Sequence, residues 1–159
     1  MSPVLNKLWR YGPLILWIVF IWFASTNQFS AANTSQVLRP ILVWLFPNIS
    51  EARLAALHFL TRKAAHFTEY AILAFLARRA LVTSHYDFAR RNWFFLSLAF
   101  LVFYALLDEF HQTFVPSRTG SVYDSAIDVA GGLTVLLLCR LMAKKSKRTV
   151  VLENEGATL

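Results

Sequence analysis

Three short stretches hold most of the residues able to do chemistry: Lys63, His66 and Glu69; Asp108, Glu109 and Gln112; Asp124 and Asp128. On a helix, spacings of three and four residues put Asp108 and Glu109 each beside Gln112, and Asp124 beside Asp128. Carboxyl groups near a histidine can take up and release protons. That nominates Glu109, Glu69, His66 and Asp108 as catalytic candidates, with Glu109 or Glu69 as the general acid or base. Lys63 and Arg118 can hold an anionic group such as a phosphate, and Gln112, Asp124 and Asp128 complete a binding set. His66-x-x-Glu69 and Asp108-x-x-His111 also place metal-ligand types on two helices. Di-metal bundles use Glu-x-x-His, an order neither segment has, so a metal stays open. No cofactor is expected.

The background around these residues is apolar. Of 159 residues, 57% are hydrophobic and 15% aromatic, more than a soluble domain of this length needs. The expected fold is all-α: an integral membrane bundle of about four transmembrane helices, with an interfacial or re-entrant segment between the first and second. The first apolar run, Tyr11 to Ala24, has the basic start of a signal peptide but lacks a clean small-x-small cleavage site, and reads as an uncleaved span. Ile41 to Phe46 is apolar but too short to cross and is bracketed by Pro40 and Pro47. Ser50 can cap a helix that leads into the second span, from about Arg62 to Val82. The third, about Trp93 to Val115, reaches roughly 34 Å and stops at Pro116; the fourth runs from about Tyr123 to Met142. The chain reads as one domain, 1–159, with its motif-bearing region at about 60–135 and a polar cytoplasmic tail, 144–159.

The net charge of +7 sits in short clusters beside the apolar runs, which fits lipid headgroups and topology signals and excludes nucleic acid as the partner. Eleven of the sixteen Lys and Arg fall on the side of the N-terminus if there are four spans. The chain is therefore expected in the cell membrane, multi-pass, with both termini cytoplasmic. The single cysteine, Cys139, allows no intrachain disulfide. With this topology Lys63 to Glu69, Asp108 to Gln112 and Asp124 to Asp128 share one level at the outer end of the bilayer, where carboxylates facing lipid would be costly and should turn inward.

The stretches KAAHFTEYAIL from Lys63, DEFHQTFVPSRTGSVYD from Asp108 and DVAGG from Asp128 resemble the VanZ-like membrane proteins. Three motifs in this order and spacing make the resemblance specific. It implies that Lys63, His66, Glu69, Tyr70, Glu109, Gln112, Arg118 and Asp124 are the recurring polar residues, and it adds Tyr70 to the binding set. Many members have Asn where this chain has Asp128. The namesake is associated with resistance to the glycopeptide antibiotic teicoplanin, so the resemblance implies a role in the envelope without giving a reaction.

Plainer readings stand beside these. Ser121-x-x-Asp124 has the spacing of a capping box, Arg62 and Lys63 can snorkel to headgroups, His111 and His58 fall at the interface or surface, and Gly131 with Gly132 lets the fourth helix pack closely. Glu69, Asp108, Glu109 and Asp128 lie deeper than capping explains, though structural ion pairing would suffice. Three functions are compatible with the pocket: an enzyme acting on a membrane lipid or lipid-linked envelope precursor, a non-catalytic binder of the same partners, or an ion or proton pathway. The last is weakest, because the inner halves of the spans offer only residues such as Ser97, Tyr104 and Thr134. Oligomeric state stays open.

Overall fold

Serine hydroxyls start three of the helices. Ser2 accepts from the Leu5 amide, Ser30 from Asn33 and Ser50 from Arg53, at 3.3 to 3.4 Å, each satisfying an amide that the first helical turn leaves without a partner. The computed structural model describes residues 2–116 and 121–156. Its helices are α1 (Pro3–Ala24), α2 (Ala31–Leu45), α3 (Glu51–Val82), α4 (Asp87–Arg91), α5 (Trp93–Gln112) and α6 (Val122–Gly156), with no strand among the described residues.

Three segments are long and apolar enough to cross a membrane: Val4–Ala24, Trp93–Gln112 and Val122–Lys145. The fourth long helix, α3, has the length, 32 residues or about 48 Å. It carries Arg62, Lys63, His66, Glu69, Arg78 and Arg79, too many charges to be apolar in its own right. It lies among the other three. At one end Arg79 donates to the Trp9 carbonyl (2.9 Å) and Arg78 stacks over the Trp93 ring; further along, the Trp17 indole donates to the Glu69 carbonyl (2.8 Å). These contacts run α3 antiparallel to α1 and α5, and pairing of Lys63 with Asp124 and His66 with Asp128 runs it parallel to α6. Three apolar helices thus pack against one long, charged helix.

The core between α3, α5 and α6 is made by Tyr70, Leu73, Ala74, Leu101, Ala105 and Leu136. Gly131 allows the close approach of α6 to α3: a Cβ there would overlap the Phe67 backbone carbonyl. Gly132 faces the Leu101 side chain and the Ala74 methyl. Lipid tails are as apolar as leucine, so membrane helices associate through such close packing and through polar contacts.

Between α1 and α3 the chain makes a short 3-10 turn, Asn27–Phe29, then α2. At 15 residues α2 is too short to cross and folds back along the first half of α3. Thr34 meets His58 (3.2 Å) and Arg39 meets Glu51 (2.6 Å) across this hairpin, while Val37, Ile41, Trp44 and Phe46 stay exposed. Helix boundaries outrun the hydropathy boundaries: α1 begins at Pro3 rather than Tyr11, and α6 continues through the polar tail to Gly156. Backbone hydrogen bonding needs no apolar side chains, so apolar runs mark where lipid begins rather than where a helix does. Conversely α5 ends at Gln112, with Thr113 to Val115 in turns before Pro116.

Candidate functional site

Asp108 is the knot of the polar end. Only 2% exposed, it accepts from the Ser25 hydroxyl through Oδ1 (2.5 Å) and from the Gln112 amide through Oδ2 (3.0 Å). The spacing of four residues that puts Asp108 and Gln112 on one face delivers the second bond; the first ties α5 to the end of α1. A turn away on α3 and α6, Lys63 pairs with Asp124. One turn deeper His66 Nδ1 lies 3.2 Å from Asp128 Oδ1, close enough for an ion pair but without hydrogen-bond alignment. Asp128 is wholly buried, and neither of its oxygens has a hydrogen-bond donor among the described residues.

Glu109 does something the spacing did not announce. Its Oε2 accepts from the Ser121 amide (2.6 Å), leaving Oε1 buried without a partner among the described residues. In a capping box the acid three residues into the helix would reach back to that amide. Here an acid from the neighbouring helix takes it, and Asp124, although in the first turn of α6, turns to Lys63 instead.

Tyr70 is buried with its hydroxyl facing Asp108 and Asp128. Its ring lies 6.3 Å from that of Tyr104, whose hydroxyl donates to the Ile18 carbonyl (3.0 Å). His66 and Glu69 turn toward a chamber of about 130 Å³ between α1, α2 and α3, together with Ser25, Thr34 and Arg62. Glu69 is electrostatically linked to His66. His111 stacks on Trp22 with ring centroids 3.9 Å apart, away from the acids. Arg118 lies outside the described residues.

The geometry thus brings Lys63, His66, Tyr70, Asp108, Glu109, Gln112, Asp124 and Asp128 to one end of the bundle, with Glu69 on the chamber side. Among the described residues no group of three or more His, Cys, Asp and Glu is arranged to hold a metal ion. Ser25 and Trp17 are partners that sequence reasoning did not single out, and Ser121, read there as a helix cap, is the donor to Glu109. Of the first two, Ser25 alone left a signal, as the first polar residue after the α1 apolar run, at the depth of Asp108.

The VanZ/LLP1 family model matches residues 11–143. The chain belongs to the VanZ/LLP1 family. The match is wider than the three motifs: it takes in α1 from Tyr11 onward and Ser25 after it, and ends within α6 before most of the polar tail. No curated protein and no solved structure matches the chain. It is a membrane protein of this family, with apolar helices suited to several passes.

Chemically, Asp108, Glu109 and Asp124 are each engaged in holding two helices together. The His66 and Asp128 pair differs. It is a close pairing of a buried carboxylate with a histidine that lines the chamber, and a histidine so placed is a candidate for proton transfer.

Proposed function

We propose that this VanZ/LLP1 protein binds the headgroup of a membrane lipid or lipid-linked envelope precursor at the outer leaflet and acts on it. His66, backed by Asp128, would be the proton-transferring group. The observation that carries the reading is the one-ended polarity of the bundle. The five acids Glu69, Asp108, Glu109, Asp124 and Asp128 lie at one end, and below them the core is Leu73, Ala74, Leu101 and Leu136, with no chain of acids and bases among the described residues continuing to the other end. That favours a pocket over an ion or proton pathway. The opposite end carries Lys7, Arg10, Arg78, Arg79, Arg90, Arg91, Arg140 and Lys144, supporting a cytoplasmic position for that end and for both termini, and an outward-facing pocket. Cysteines placed at Thr113 and Lys144 should then label from opposite faces of sealed cells; labelling from one face would reverse or break the topology.

A role in envelope chemistry of the kind that gives glycopeptide resistance, including to teicoplanin, follows the family's namesake and is proposed on that ground. The decisive measurement is turnover of lipid-linked precursors by the purified protein. His66→Gln and Asp128→Asn should each reduce it at least about 100-fold, while Glu109→Gln leaves more of it. A non-catalytic binder is the second reading, favoured by the engagement of Asp108, Glu109 and Asp124 in helix ties. Binding without turnover in the wild type would establish that reading and end the first.

A further inference from the structure

Arg62 is not used by the pocket's ion pairs. As a basic residue near the end of a span its ordinary role would be to reach outward to the headgroups, but its Nη1 is buried, without a hydrogen-bond partner or ion pair among the described residues. It stands where two spaces meet. One is the polar chamber of about 130 Å³ it shares with Ser25, His66 and Glu69. The other is a groove of about 400 Å³ between α2 and α3, where Val37, Leu38 and Ile41 form an aliphatic stripe beside Asn33, His58 and Thr61, with Thr34, Arg62 and Ala65 common to both. A volume of this size suits a small-molecule site. The two spaces together are amphipathic: a cation at the junction, a polar chamber on one side, and on the other a groove with an aliphatic stripe. The groove continues onto the exposed apolar side chains Val37 and Ile41 of α2, and in a membrane protein such a surface fits a hydrocarbon chain rather than a protein segment.

We propose that Arg62 anchors the phosphate of a membrane lipid, with the headgroup in the chamber beside His66 and an apolar chain along the groove between α2 and α3. This rests on the headgroup-binding reading above and names its ligand class as a phosphate ester carried on a long apolar chain. Two lipid sources share that chemistry, a diacyl phospholipid and a single-chain polyprenyl phosphate. A guanidinium offers the phosphate two parallel bonds, which a lysine in its place would not. Ala65 lines both spaces, so a large side chain there would block the chain's path while leaving Arg62 in place.

Binding is measured on the full-length protein in phosphatidylcholine nanodiscs, by native mass spectrometry, with phosphatidic acid, a polyprenyl phosphate and inorganic phosphate as probes. One or both phosphate lipids should bind at least about tenfold more tightly than inorganic phosphate, and Arg62→Gln should lose about tenfold or more in lipid affinity, the loss expected for a charge-assisted bond. Ala65→Phe should weaken lipid binding and spare any binding of inorganic phosphate. If Arg62→Gln fails to fold, Arg62→Lys carries the same test, and a partial loss is expected. Unchanged lipid affinity in the Arg62 variant, or inorganic phosphate binding as tightly as lipid, overturns the proposal. Loss of turnover in Asp128→Asn with lipid affinity unchanged in Arg62→Gln removes this anchor but keeps the headgroup pocket. A wild-type protein that binds none of the lipids takes down both.

Discussion

The junction of α3, α5 and α6 is built in two ways within a few turns. At its polar end α3 and α6 are joined by Lys63 with Asp124 and His66 with Asp128. One turn further along α6, Gly131 lies on the Phe67 backbone, and Gly132 meets Leu101 and Ala74. The polar contacts name the partners; the glycines set the distance at which those partners can meet. Charged groups withdrawn from lipid gain only when their geometry is good, so the apolar seam is a condition of the polar pocket rather than an accessory to it.

The sharpest way to break this relation is Gly131→Ala. The obstacle is a backbone carbonyl, which cannot rotate away, so α3 and α6 must separate, at about 3 kcal/mol, the upper range for overpacking. Melting in detergent should fall and the pocket's function with it. Gly132→Ala meets the end of a leucine side chain and a methyl at 3.1 Å, and repacking should hold its cost to about 1 kcal/mol. Equal melting losses at the two glycines would mean that the seam does not set the helix distance.

Smaller effects sharpen the polar side. Lys63→Met and Asp124→Asn should each destabilise by about 1–2 kcal/mol, and the double variant by less than their sum. The pair is about a quarter exposed, at 23% and 26%, which keeps it below the cost of breaking a fully buried one. Additive losses in the double-mutant cycle would dismiss the pair as a stabilising contact. Ser25→Ala deprives Asp108 of its short bond and should cost about 1 kcal/mol, read as lower melting and easier proteolysis of α1. Glu109→Gln is the mildest. The amide oxygen can still accept from Ser121, so stability should move by less than about 1 kcal/mol. Unfolding by that change would assign the buried charge itself a structural role.

What the chain reveals on inspection is one-dimensional. Spacing put Asp108 with Gln112 and Asp124 with Asp128, apolar runs located α1, α5 and α6, and depth gathered the polar residues at one end. The glycine pair was legible as a close-packing device because nothing else explains two glycines in an apolar span. Partners across helices were not legible. Asp124 looks like a helix cap because its spacing from Ser121 is local, yet Glu109, twelve residues before Ser121, holds that amide. Ser25 showed only as the first polar residue after an apolar run, and with none of the motifs on α1 nothing tied it to Asp108. Arg62 looked like an interfacial cation, since nothing in a linear reading distinguishes a guanidinium that points out from one that turns into a cavity.

The dependence of α3 on its neighbours bears on how the protein is made. α1, α5 and α6 are apolar enough to partition into lipid as they leave the ribosome. α3 is synthesised second among the long helices and brings Lys63, His66 and Glu69 with it, whereas Asp124 and Asp128 arrive only with α6. Until then its charges lack their counter-ions, and the nascent helix should hold its transmembrane position weakly. A chain arrested after Gln112 should therefore show α3 sliding toward an aqueous face in glycosylation mapping, and synthesis through Met142 should fix it. The last helix to be translated would act as the internal chaperone of the second.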